Sequence, residues 1–195
     1  MSRVSSPLSA IVRAPFPDRK GRGLFVDTAK IIREDITDYS DRIEGVLVKK
    51  LRVMKDDRGY LMEMIRADDP FFRKFGQVYV TYCEPGFVKG WHYHKVQIDH
   101  FVVIKGNGRV LLYDARENSK SKGNWIEFIM GDANPICVVI PVGVLHGIEC
   151  APGEKEGCLL LNMPTEMYRY REPDEFRIDP FDNDVPIKWH SNKGG

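Results

Sequence analysis

Histidine is concentrated where this chain could do chemistry. Of its five histidines, His92, His94 and His100 fall within nine residues, and His146 lies in the run Ile140-Pro141-Val142-Gly143-Val144-Leu145-His146-Gly147. Imidazole changes charge near neutral pH and is the commonest metal ligand. Such a grouping suits proton transfer or ion binding, and a hydrogen-bonded core histidine is the ordinary alternative for each. Strand side chains alternate between faces, so His92 and His94 share a face if they lie on a strand.

The elements that must hold these residues read as strands. From Val46 onward, short runs rich in Val, Ile, Tyr and Phe recur: Val46–Val48, Leu61–Ile65, Val78–Tyr82, His100–Ile104, Arg109–Tyr113, Trp125–Ile129, Cys137–Ile140 and Cys158–Leu161. Gly- and Pro-containing turns such as Glu84-Pro85-Gly86 and Ala151-Pro152-Gly153 separate them. Many short strands with such turns predict an all-β sandwich or barrel. Gly106-Asn107-Gly108 reads as a hairpin turn. No dinucleotide fingerprint, P-loop or nucleophile elbow is present. Residues 1–45 carry Pro7, Pro15 and Pro17 and one candidate short helix starting at Thr28. They read as an N-terminal arm, with a single domain over 46–195.

Composition narrows the partners. The chain has 195 residues, 29 Lys+Arg against 28 Asp+Glu, and 43% apolar residues. A near-zero net charge gives no electrostatic footprint for nucleic acid or a membrane surface. No apolar run is long enough to span a bilayer, and the N-terminus has no secretory h-region. Cys83, Cys137, Cys150 and Cys158 form no C-x-x-C pair, so buried, reduced thiols and a cytoplasmic location are expected.

The spacing Gly86, His92, His94, Asp99, Gly106, followed by Pro141, Gly143, His146, resembles the two cupin motifs, with Asp in place of the usual Glu. This implies a fold that is all-β, a cupin double-stranded β-helix (jelly roll) with an N-terminal extension, ending in a short helical or loop tail. Further blocks resemble the dTDP-4-dehydrorhamnose 3,5-epimerases. They are Asp56-Asp57-Arg58-Gly59-Tyr60-Leu61-Met62-Glu63, Phe75-Gly76-Gln77, Lys89-Gly90-Trp91-His92-Tyr93, Asp114-Ala115-Arg116, Ile140–Gly147, Met167-Tyr168, Asp179-Pro180 and Ile187-Lys188-Trp189. The resemblance spans about residues 53–189. It implies a metal-free homodimeric isomerase that epimerises a dTDP-4-keto-6-deoxyhexose for deoxysugar or polysaccharide synthesis.

Such a reaction removes a proton beside a ketone and returns it on the other face. It needs a base, an opposed acid and stabilisation of the enolate oxygen. The resemblance assigns the base to His92, its carboxylate partner to Asp179 (or Asp182, counting back from Trp189), and the acid to Tyr168. It assigns substrate contacts to Arg58, Glu63, Gln77, Lys89 and His146. Tyr168 also suits ordinary aromatic packing beside Tyr170, and Asp179, Asp182 and Arg58 suit turns. Four positions depart from the family: His94 for Gln, Asp99 for the lysine facing the enolate, Lys89 for Arg, and Asn162 for a tyrosine. Lys95 is the candidate replacement cation.

Two neighbouring resemblances follow. His92-Tyr93-His94-Lys95 is similar to the H-x-H-K motif of sugar-nucleotide 3,4-ketoisomerases. His92, His94, Asp99 and His146 fall where metal-binding cupins hold one divalent ion such as Zn, Fe, Mn or Ni, and three imidazoles with a carboxylate suit such ions. A metal-dependent cupin enzyme, a sugar-nucleotide 3,4-ketoisomerase and a non-catalytic sugar-binding cupin are therefore the alternatives.

Overall fold

Turn residues cut the chain into short segments, and each segment pairs across the sheet. The computed structural model describes residues 35–195, which contain fourteen strands and, among the described residues, no helix. One sheet has the order β1 (Ile36–Asp38), β2 (Leu47–Lys50), β10 (Ile136–Ile140), β7 (Asp99–Lys105), β12 (Cys158–Asn162), β5 (Tyr79–Cys83). The second has the order β13 (Phe176–Arg177), β6 (Phe87–Tyr93), β11 (Val144–Cys150), β8 (Asn107–Asp114), β9 (Trp125–Gly131). A short β14 (Lys193–Gly194) pairs with β6 in parallel, and all other pairs are antiparallel. A separate hairpin joins β3 (Val53–Asp56) to β4 (Gly59–Met62). From β5 to β12 the chain passes repeatedly between the two sheets, which makes the expected jelly roll.

The burial pattern explains the sequence pattern. β9 alternates exposed and buried residues, as a strand with one wet face must. β8 and β11 are almost wholly buried, because their part of the sheet is covered on both faces. Val110, Leu112, Val144 and Ile148 face a core shared with Val103, Val138 and Leu160 of the other sheet. Trp91, Leu111 and Leu145 face the C-terminal tail, where Val185 and Trp189 cover them. Trp91 stacks on Trp189 with ring centroids 4.5 Å apart. Burying two such large rings anchors the tail to β6.

The tail is extended, with no helical segment from residue 163 onward. Its backbone is tied down by the buried Glu149, which accepts hydrogen bonds from the His190 and Ser191 amides at 3.0 and 2.7 Å and pairs with Arg109 at 2.6 Å. Residues 35–45, expected in the arm, belong with the β-unit, which spans Asp35–Gly195. There β1 pairs with β2, and Ile43 is fully buried in the core. The rest of the arm, including the helix expected from Thr28, lies outside the described residues.

Candidate active site

Three strands bring the chemistry-bearing residues together. β6 delivers His92, with His94 just past its end; β7 starts at Asp99; and β11 carries His146. In the β6·β11 ladder His92 sits directly opposite His146, and a register shift follows at Gly147. That irregularity leaves Trp91 unpaired with β11, and strand alternation turns His92 inward while Trp91 faces the tail. Glycine is needed where the strands close up. A Cβ at Gly147 would lie 2.7 Å from the Lys89 carbonyl oxygen and 2.8 Å from Gly90 Cα.

These residues line a cavity of about 480 Å³. Gln77, Lys89, His92, His94, Asp99, His146 and Tyr168, all singled out in the sequence, share its wall. Tyr168 is 42% exposed, and its amide donates to Gln77 Oε1 at 3.2 Å. His100 points away from the cavity: it packs on Phe71, and its Nδ1 donates to the Met163 carbonyl at 2.7 Å. Alternation along β7 accounts for this, since Asp99 takes the cavity face.

Five expected site residues, counting both candidate carboxylates, are placed elsewhere. Asp179 is exposed and does not partner His92; its Oδ1 accepts the Phe181 and Asp182 amides at 2.8 Å each, a turn role. Asp182, the alternative, borders a neighbouring groove with Lys95. The Lys95 ammonium lies 4.1 Å above the Phe176 ring, so it does not replace the missing lysine inside the cavity. Arg58, on the β3–β4 turn, is exposed and pairs with Asp56 at 2.6 Å. Glu63 is exposed and pairs with Arg66 at 3.0 Å.

At the cavity floor one carboxylate faces two imidazoles. Asp99 Oδ2 lies 3.1 Å from both His94 Nε2 and His146 Nε2. Its other oxygen, Oδ1, accepts from Gln97 Nε2 at 2.8 Å and Asn162 Nδ2 at 3.0 Å. His146 Nδ1 donates to the Val144 carbonyl at 3.0 Å, and His94 Nδ1 donates to the Asp174 carbonyl. These carbonyls keep a proton on both Nδ1 atoms. Each Nε2 therefore carries a bare lone pair when its ring is neutral. Asp99 Oδ2 is buried and accepts no hydrogen bond, so a carboxylate this close to two imidazoles calls for a cation, whether protons on Nε2 or a metal ion. Burial opposes charge on His94, but Asp99 outweighs it and holds His94 above its ordinary range. Asp99, although buried, is held far below the usual carboxylate range by the two histidines.

His92 behaves differently. Burial, reinforced by His146, pushes it down to about 4. Its Nε2 is buried and has no hydrogen-bond partner. It is thus a neutral imidazole at pH 7 with a free lone pair. Glu175 and Arg177 also line the cavity and act on His92 with opposite sign.

Sequence reasoning missed Gln97, Tyr79, Asp174, Glu175 and Arg177. Gln97 had a usable signal, because it lies two residues before Asp99 on the same stretch. The Tyr79 hydroxyl accepts from Asn162 Nδ2 at 2.9 Å, and burial with the Asp99 charge pushes it up to about 12. Its ring is partly exposed, but its hydroxyl is inside.

The residues that could hold a metal are His94, Asp99 and His146, whose ligand atoms all lie within 4.8 Å of one another. His92, the fourth ligand of that reading, is not in this group. Both grouped histidines donate their other ring nitrogen to a backbone carbonyl, the arrangement that orients metal-bound imidazoles. The donor set therefore fits a divalent ion.

Residues 54–176, more than half of the chain, match the family described as polysaccharide biosynthesis C-terminal domain. A spore coat polysaccharide biosynthesis protein of Bacillus subtilis is 38% identical over 149 residues, covering 76% of this chain and 97% of that protein. A probable low-salt glycan biosynthesis epimerase of Haloferax volcanii is 40% identical over 142 residues, covering 72% and 89%. A dTDP sugar isomerase from Desulfovibrio desulfuricans G20 has a similar structure, with a TM-score of 0.71, 27% identity and coverage of 78% and 95%. With the jelly roll and its histidine-lined cavity, these matches show that the chain belongs to the polysaccharide biosynthesis C-terminal domain family, as a divergent member of the dTDP-4-dehydrorhamnose 3,5-epimerase group of cupins.

Proposed function

We propose that this protein epimerises or isomerises a nucleotide-linked 4-keto-6-deoxyhexose, with dTDP as the nucleotide, by taking and returning a proton beside the ketone. The observation that carries the reading is His92: a neutral imidazole that lines the cavity. Such a group can accept a proton at pH 7 without first losing one. Tyr168 stands as the acid, and its phenol can return a proton from a different part of the wall. The His94–Asp99–His146 cluster replaces the lysine that faces the enolate. A protonated His94, favoured by Asp99, places positive charge beside a developing oxyanion. Lys89 adds positive charge to the same wall, where Arg177 is paired with Glu175, and a cation there suits a diphosphate.

A second reading has one specific observation in its favour, the convergence of the three ligand atoms. A divalent ion held by His94, Asp99 and His146 would polarise the sugar carbonyl as a Lewis acid. His92 keeps its role as base in either case.

The proposal includes a homodimer. Tyr60 and Leu61 on the hairpin, and Val78, Val80 and Tyr82 on or beside the edge strand β5, are large exposed apolar residues, a surface of the kind that pairs with another chain. It also includes a cytoplasmic location, supported by four buried free thiols. No helix among the described residues is long and apolar enough to cross a membrane.

The test is proton NMR of dTDP-4-keto-6-deoxyglucose incubated with the protein in heavy water. The reading expects the C3 or C5 proton signal to vanish and a new configuration to appear. Persistence of both signals overturns it. Exchange that stops with a chelator and returns with one equivalent of a divalent ion selects the second reading.

A further inference from the structure

In the loop between β6 and β7, the four successive amides of Lys95, Val96, Gln97 and Ile98 are satisfied by two residues of the chain beyond β12. Asp174 Oδ1 accepts from the Lys95 amide, and Asp174 Oδ2 accepts from the Val96 and Gln97 amides, each at 2.9 Å. Thr165 Oγ1 accepts the next one, Ile98, at 3.0 Å. The Asp174 backbone carbonyl also accepts from His94 Nδ1. One residue therefore holds the loop through its carboxylate and sets the His94 tautomer through its backbone.

The loop leads directly into the cluster. Gln97, whose amide is bound by Asp174, donates its side chain to Asp99 Oδ1 at 2.8 Å. That bond and the one from Asn162 direct Asp99 Oδ2 at the two histidines. We infer that Asp174 is a positioning residue for catalysis: it fixes His94 and, through Gln97, Asp99, without itself reacting. Three N–H groups converging on one carboxylate need both oxygens. Both of its oxygens are thus committed to the loop, and the charged form is the one that fits. Asparagine cannot replace it, because its NH₂ would face at least one backbone N–H.

The inference rests on the proton-transfer reading above, and the experiment separates the two. Deuterium wash-in with dTDP-4-keto-6-deoxyglucose is measured for the wild type, Asp174→Asn, Asp174→Ala, Gln97→Leu and the Asp174→Ala/Gln97→Leu double variant. Hydrogen exchange of the 94–99 segment is measured for each. Both Asp174 variants are expected to lose ten- to hundredfold in kcat with KM changed less than threefold, and to exchange faster at residues 95–97. Gln97→Leu is expected to lose kcat similarly, and the double variant to lose little more than either single, because both changes disturb the same contact of Asp99 with its histidines. Unchanged kcat in a variant with a loosened loop overturns the inference. So do multiplicative losses in the double variant, or kcat and KM falling together with thermal stability. If the wild type shows no wash-in, the proton-transfer reading fails; the exchange data then decide the positioning role, and unchanged protection at 95–97 overturns it.

Discussion

His92 is held neutral by its surroundings, and that neutrality has a measurable cost. Its value of about 4 in the fold compares with about 6.5 for a free histidine. Between these two values the unfolded chain binds a proton that the folded protein does not. The His92 contribution therefore leaves stability undiminished above about pH 6.5 and lowers it as pH falls toward 4. The difference of roughly 2.5 pK units corresponds to about 3 kcal/mol. The charged and titratable groups that face His92 are His146, Arg177, Glu175 and His94, and all remain in a His92→Asn variant. Denaturant unfolding of chelator-treated wild type and His92→Asn at pH 4, 5, 6 and 7 isolates the His92 contribution. The wild type is expected to lose about 3 kcal/mol more than the variant over that range. Activity should be flat from pH 6 to 8 on the His92 account, with its acid limb near 4 to 5. Parallel stability curves for the two proteins would refute the argument that burial suppresses the charge of His92.

Three further outcomes follow from individual contacts. Asp99→Asn keeps Oδ1 as acceptor for Gln97 and Asn162, so its NH₂ must face His94 and His146. His94 then loses the interaction that raises it, and turnover is expected to fall at least tenfold with the fold intact, checked by NMR of the histidine nitrogens and by wash-in. Asp179→Ala removes only a turn on the exposed tail, so kcat/KM should stay within twofold of wild type. Glu149→Ala leaves the buried Arg109 short of a partner and two tail amides unsatisfied; urea unfolding should show a loss of about 3–5 kcal/mol.

The parts of the site legible in the sequence obey local rules. His92 and His94 are two apart beside a strand, and Pro141-Val142-Gly143 marks the turn before His146, where Gly143 has φ +81°. Short strands bounded by Gly and Pro give the β architecture by the same logic. What failed depends on where distant segments dock. Ile187-Lys188-Trp189 does fix the tail, but through Trp189 on Trp91, and an apolar anchor does not say which upstream carboxylate turns inward. Asp174 and Glu175 reach the cavity wall while Asp179 remains in a surface turn. Arg58 has the expected motif, but its hairpin pairs only with itself and stands outside the two main sheets. Residues 35–45 look like arm by composition, and only the non-local β1·β2 pairing and the burial of Ile43 assign them to the domain.

The central claim is that His92 is the base. The most direct measurement is mass-spectrometric deuterium incorporation into dTDP-4-keto-6-deoxyglucose in heavy water, comparing wild type with His92→Asn, each with and without chelation. The account predicts one or two deuterons with the wild type and at least a thousandfold slower incorporation with His92→Asn. Incorporation by His92→Asn at a rate near that of the wild type would contradict it.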